Sequence, residues 1–132
     1  MKKVVRLYFI FMILFSCGKE NIEQSTLLNI YAPNAFHPGS KVPCANGDPS
    51  CNNMYKILVD KPGNLKSIAI QILDEKQNLV FKTENYNEGW NGNIMGNAGG
   101  TPCMQGQYYL VINYTDVANG SYQIKKDIYL LR

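Results

Sequence analysis

Apolar and polar residues alternate with a period of two along much of this chain. From Ser67 to Leu73, Ile68, Ile70 and Ile72 fall on one side and Ser67, Ala69 and Gln71 on the other, the signature of a half-buried strand. Gln107–Tyr114 sets Tyr108, Leu110 and Ile112 against Tyr109, Val111 and Asn113, and Ser121–Leu131 places Tyr122, Ile124, Ile128 and Leu130 on one side. Leu27–Tyr31, Met54–Val59 and Leu79–Thr83 are shorter runs rich in strand formers. Turn signals separate them: Lys61-Pro62-Gly63-Asn64, the polar Asp74–Asn78, and Asn119-Gly120. Ala32-Pro33-Asn34-Ala35-Phe36 leaves the first strand as an edge or departing corner, because proline lacks the donor a central strand needs. No stretch holds a 3.6-residue apolar stripe. The pattern predicts an all-β domain, an Ig-like antiparallel β-sandwich of about seven strands.

The plan is organised around Glu88–Tyr114. Its tryptophan, Trp90, is the only one in the chain and sits between Gly89 and Asn91-Gly92. Trp90 is expected to plug one end of the sandwich, its indole N–H bonded to a carbonyl, with Tyr108–Tyr114 as the central strand. The sharper alternative makes Trp90 a platform that stacks on a sugar ring.

The first residues change the picture of charge and location. Met1-Lys2-Lys3 is followed by the apolar run Leu7–Phe15, too short for a bilayer helix of about 20 residues and suited to a signal-peptide core. Leu14-Phe15-Ser16-Cys17 then resembles the bacterial lipobox, with cleavage before Cys17 and a diacylglycerol on its thiol. The expected organisation is a lipoprotein signal peptide at 1–16, lipidated cysteine and tether at 17–26, and the sandwich at 27–132. Acyl chains contribute about 0.8 kcal/mol per buried CH₂ to the anchor, and Gly18-Lys19-Glu20 after Cys17 lacks the Asp of an inner-membrane retention signal, so the expected location is the outer membrane, on its periplasmic or surface face. Without Lys2, Lys3 and Arg6, the 13 Lys+Arg fall to 10, against 10 Asp+Glu. A neutral domain has no basic stripe to follow phosphates, which argues against nucleic acid as a partner.

Several segments together resemble the gliding-motility-associated C-terminal domain, the type B sorting domain of type IX secretion in Bacteroidetes. Ala32-Pro33-Asn34-Ala35-Phe36-His37-Pro38 is similar to its P-N-A-F-T-P opening. Asn46-Gly47-Asp48 with Asn52-Asn53 is similar to N-G-D-G-x-N-D, interrupted by an insertion with Cys44 and Cys51. Ile70–Phe81 is similar to I-x-I-Y-[DN]-R-W-G-x-x-V-F, with Glu75-Lys76-Gln77 in place of R-W-G. Gly89-Trp90-Asn91-Gly92 is similar to G-W-D-G, Gly100–Tyr109 to G-x-P-x-x-x-G-x-Y-x, and Asp127–Arg132 to the last strand. The resemblance implies an Ig-like fold and a link to type IX secretion, gliding or surface adhesion, here as a stand-alone lipoprotein.

The remaining chemistry is sparse. With Cys17 lipidated, Cys44, Cys51 and Cys103 remain. The oxidising envelope favours a Cys44–Cys51 disulfide, closing a short polar loop for roughly 2.5 kcal/mol, with Cys103 as a buried thiol. A bridge from Cys103 to that loop is the alternative. His37 with these cysteines lacks the C-x₂₋₄-C spacing of structural zinc sites. Asn46, Asp48, Asn52 and Asn53 offer one carboxylate among them, so turn chemistry outweighs calcium. One histidine and scattered carboxylates form no catalytic constellation. Tyr109, Tyr114, Tyr122 and Tyr129 are candidates for a contact patch. The sequence thus points to a non-catalytic lipoprotein without cofactor or metal, a binding or assembly module with a protein partner in the envelope. A glycan-binding module using Trp90 and surface tyrosines, and a structural subunit of an envelope complex, are the alternatives.

Overall fold

A computed structural model describes residues 28–38, 53–95 and 100–132. The strands are β1 (Ile30–Tyr31), β2 (Ala35–Phe36), β3 (Leu58–Val59), β4 (Leu65–Leu73), β5 (Leu79–Thr83), β6 (Gly106–Asp116) and β7 (Ser121–Leu130). Among the described residues there is no α-helix, only a short 3₁₀ turn at Pro62–Asn64. The strands form two sheets in a sandwich-like arrangement, β1-β3 and β2-β7-β6-β4-β5. The expected all-β sandwich is therefore the observed class, with β6 at the centre of the larger sheet.

The alternation in sequence becomes the two faces of the larger sheet. Ile68, Ile70 and Ile72 of β4, Tyr108, Leu110 and Ile112 of β6, and Ile128 and Leu130 of β7 are all buried. They meet across strands, with Ile70 opposite Ile112 and Ile72 opposite Leu110. Each such side chain contributes roughly 1.5–3 kcal/mol when taken from water. The inner face also packs Phe36, Tyr55, Ile57, Phe81 and Trp90. A shift of register between Ile72 and Leu73 opposite β5 lets Val80 and Phe81 both be buried, one more than strict alternation allows.

Pro33 marks a change of sheet. Before it, β1 pairs antiparallel with β3. After it, β2 pairs with β7 in the other sheet, Ala35 opposite Tyr129 and Phe36 opposite Leu130, and this pair is parallel. The expectation of antiparallel pairing holds for every other ladder described. The parallel pair arises because the chain, after crossing between layers, runs in the same direction as β7. Tyr55 fixes the crossing by donating its hydroxyl to the Pro33 carbonyl at 2.9 Å. Met54–Val59 was expected as one strand. It divides instead, since Tyr55 bridges to Trp90 and Leu58–Val59 alone pairs with β1.

Both described hairpin tips of the larger sheet share one hydrogen-bond pattern. Asp74 N–H donates to the Asn78 carbonyl and Gln77 N–H to the Asp74 carbonyl, each at 2.9 Å, while Asp74 Oδ1 accepts Asn78 N–H at 2.8 Å. At the other end, Asp116 N–H donates to Gly120 and Asn119 N–H to Asp116, each at 3.0 Å. Asp116 Oδ1 accepts Gly120 N–H at 2.8 Å. The Asn119-Gly120 signal does mark a hairpin, but the turn is centred on Val117-Ala118. Asn119, at φ 66°, takes the left-handed position that follows it.

Candidate functional site

Trp90 sits where the sequence places it, at one end of the sandwich, and it is fully enclosed, with 0% exposure. Its backbone exchanges hydrogen bonds with Tyr55, at 2.7 and 3.0 Å. Its indole N–H donates to the Asn93 carbonyl at 2.8 Å. The ring lies 5.1 Å from both Phe36 and Tyr108, tilted against the first and edge-on to the second. These are favourable aromatic geometries. Gly92, at φ +81°, lets the bend pass against the Pro38 and Leu130 side chains. No face of the indole is open, so the alternative in which Trp90 stacks on a sugar fails and the core plug is what forms. The ring is consumed by the core.

Beside this plug lies a cleft of about 590 Å³, lined by Glu75, Val80, Ile94, Pro102, Met104 and Tyr108 among others. Cys103 reaches it as a buried, free thiol, so the alternative bridge from Cys103 to the loop is not formed. Burial raises the Cys103 pKa, partly offset by a hydrogen bond with Tyr108. Burial likewise pushes the Tyr108 phenol up to about 12, and its hydroxyl donates to the Met104 carbonyl at 2.7 Å. A raised thiol pKa disfavours the nucleophilic thiolate, so this cysteine packs rather than reacts. Arg132, which no sequence pattern marks out, closes the same end. Its Nε donates to the Cys103 carbonyl at 3.0 Å and its terminal nitrogen to the Gly92 carbonyl at 3.2 Å.

The four candidate tyrosines do not form one patch. Even-numbered residues of β6 and β7 face the core and odd-numbered ones face outward, as Leu110, Ile112, Ile128 and Leu130 show. Tyr114 and Tyr122 therefore lie on the inner side, stacked with centroids 5.0 Å apart at 21°, where the second layer no longer covers the sheet. Tyr109 and Tyr129 lie on the outer face. There, Tyr109 joins half-buried Leu73 and Val111 in an apolar strip, with Lys125 and Asp127 beside it along a shallow cavity of about 370 Å³. Tyr129 is 47% exposed next to the strip. The apolar odd positions of Tyr109–Val111 carried this signal in the sequence.

His37 is exposed. Among the described residues no three His, Cys, Asp or Glu side chains come together to hold a metal, and every buried side-chain N or O has a partner. Cys17, Cys44, Cys51, Asn46, Asp48 and Asn52 lie outside the described residues. Asn53 is exposed.

Fold and surface together define a small all-β sandwich module with one solvated sheet face. The model of the CHU_C type IX secretion signal domain matches residues 40–130, and the chain belongs to this family. No curated protein and no solved structure matches the chain significantly. Membership links the chain to type IX secretion and to the cell envelope or secreted space, through a domain whose family role is sorting rather than catalysis.

Proposed function

We propose that this chain is a lipid-anchored envelope module that binds or assembles with a protein of the type IX secretion, gliding or adhesion apparatus and catalyses nothing. Cys17 carries the acyl chains in the outer membrane, residues 18–26 form the tether, and the sandwich presents its outer sheet face. Family membership supports the link to secretion. The anchor rests on Leu14-Phe15-Ser16-Cys17 and the apolar run before it. The observation that carries the binding role is the outer strip of Leu73, Tyr109 and Val111, half-buried beside exposed Tyr129. Aromatic residues with aliphatic neighbours on an otherwise polar sheet are the composition of contact surfaces. A Cys44–Cys51 disulfide completes the reading as a staple of the loop before β3.

Two measurements test it. Metabolic labelling with an alkyne fatty acid tags the wild-type chain and not Cys17→Ala; an unlabelled wild-type chain refutes the anchor. A photo-crosslinking residue at Tyr109, introduced in a host with type IX secretion, yields an adduct with a component of that apparatus, identified by mass. The binding role fails if Tyr109 gives no adduct beyond that of a crosslinker at exposed Glu84.

A further inference from the structure

The chain enters the sandwich at the end opposite the Trp90 plug. Asn29 is pinned beside the Asp60–Asn64 turn: its N–H donates to Asp60 Oδ1 at 3.0 Å, and its carbonyl accepts the Asp60 N–H at 3.0 Å. Val117 N–H donates to the Asn64 carbonyl at 3.0 Å, which fastens that turn to the tip of the β6–β7 hairpin. The entry point therefore lies beside two adjacent turns, Lys61–Asn64 and Asp116–Gly120. On the reading that Cys17 carries the acyl chains, residues 18–27 reach at most about 33–36 Å from the bilayer. That leash is about as long as β6, with its 11 residues at about 3.3 Å each. Length alone thus lets the domain lie with either end toward the membrane. The leash does hold the domain near the surface at an effective concentration of about millimolar order, where a weak contact is enough to orient it.

The two hairpin tips show which end is built for that contact. They share their hydrogen bonds, so the backbone makes the same demand on both crests and the side chains there are a free choice. Away from the tether the crest is Glu75-Lys76, exposed and charged, as suits a turn in water. Beside the tether it is Val117-Ala118, also exposed, with Val117 at 58%. The neighbouring turn adds exposed Pro62-Gly63, and none of these four residues is charged. Behind them stands the stacked pair of Tyr114 and Tyr122, the latter 46% exposed. Tyrosine, with an apolar ring and a polar hydroxyl, is enriched where membrane meets water. We propose that the tether end of the sandwich rests on the lipid bilayer, with the Val117-Ala118 and Pro62-Gly63 crests among the headgroups and the Tyr122 ring at their boundary. Lys61 and Lys66 at this end are matched by Asp60 and Asp116. Both carboxylates bond within the protein, Asp60 to Asn29 and Asp116 to Gly120 and Tyr122. Such a balance suits neutral lipid, whereas a polybasic patch selects anionic lipid. In this pose the sandwich stands up from the membrane. The Trp90 end, and with it the strip of Leu73, Tyr109 and Val111, is held out towards a partner.

Lipid photo-labelling of the full chain, as processed by its host and tagged with an alkyne fatty acid, tests the contact. The chain is placed in vesicles of phosphatidylethanolamine and phosphatidylcholine that carry a lipid with a diazirine at its headgroup. Adducts located by fragment mass spectrometry are expected several-fold more often on Pro62-Gly63 and Val117–Tyr122 than on Glu75-Lys76. Equal labelling of the two tips, as a domain swinging freely on its tether gives, overturns the inference. Val117→Glu combined with Ala118→Glu is expected to remove most of the preference while the chain still floats with the vesicles and keeps its far-ultraviolet circular dichroism. A preference undiminished by these changes also overturns it; if the variant unfolds, the wild-type comparison decides. The anchor and the contact fail separately. A chain that takes up no fatty acid and does not float refutes the anchor and the contact together, whereas an acylated, floating chain labelled equally at both tips refutes the contact alone.

Discussion

At the end of the sandwich that holds Trp90, the chain spends most of its special chemistry on closure. A fully enclosed indole, two aromatic neighbours, a paired backbone bridge to Tyr55 and the Arg132 guanidinium all converge there. At the opposite end the β6–β7 hairpin projects past the second layer. Its aromatic pair, Tyr114 and Tyr122, stacks over an exposed flank, and Tyr122 donates to Asp116 at 3.1 Å in solvent. Both ends have aromatic contacts of similar centroid separation. They differ in what surrounds the rings, and burial rather than ring geometry decides how much each contact is worth.

The largest expected effect follows from this difference. Trp90→Ala leaves a cavity among Phe36, Tyr55 and Tyr108 and strands the Asn93 carbonyl, costing about 3–5 kcal/mol, read from urea denaturation. Because small domains have only about 5–15 kcal/mol in hand, the variant is expected to be partly unfolded at 37 °C. Gly92→Ala attacks the same end through the backbone. Its Cβ would lie 2.7 Å from Pro38 Cγ and 3.0 Å from Leu130 Cδ1, at φ +81°. The expected loss is about 2 kcal/mol in the same measurement. An outcome near zero for either would mean that this end is not the keystone.

Alkaline pH separates the ends by titration. Tyr108 is held to about 12 from an ordinary 10.0, chiefly by burial, and burial also raises Cys103 from 9.0. In both cases the unfolded chain loses its proton first. The stabilisation of the neutral forms is thus complete below pH 9 and drains away as pH rises towards 12. The melting temperature is expected to fall over that window, and Cys103→Ala to flatten its lower part. Tyr122 is raised too, by its hydrogen bond to Asp116, but on a flank open to solvent. Tyr122→Ala is expected to cost several-fold less in urea than Trp90→Ala. Near-equal losses would erase the distinction drawn between the two ends.

Much of this was legible because the strand period is fixed by the backbone. Ile68, Ile70 and Ile72, and Tyr108, Leu110 and Ile112, had to share a face once either segment was a strand. Trp90 between glycines announced a tight bend around a large side chain. The same parity, carried through, would have split Tyr109 and Tyr129 from Tyr114 and Tyr122. What a local pattern does not encode is long-range choice. Nothing around Pro33 says that β2 joins β7 in parallel, nor does Met54–Val59 say that Tyr55 pairs with Trp90, since both depend on where distant segments lie. The displaced turn at Asp116 has a local cause: its carboxylate captures Gly120 N–H, which favours the longer loop over a two-residue Asn-Gly turn.

The smallest effect sharpens the comparison at the level of one dihedral. The two hairpin tips, one at each end, share their hydrogen bonds and place one residue each at φ 66°, Gln77 and Asn119. Asparagine tolerates that left-handed conformation, whereas for an ordinary side chain it costs roughly 1–2 kcal/mol. Glycine adopts it freely but loses about 0.5–1 kcal/mol in unfolded-state entropy. Gln77→Gly is therefore expected to raise stability by about 0.5 kcal/mol, and Asn119→Gly to change it by less than about 0.5 kcal/mol in either direction. The resembling hairpin motif has glycine at the position of Gln77, which fits a backbone demand rather than a side-chain role. If Gln77→Gly destabilises instead, the side chain must be contributing across the cavity it lines with Leu73, Tyr109 and Val111. The outer face would then begin at the hairpin tip.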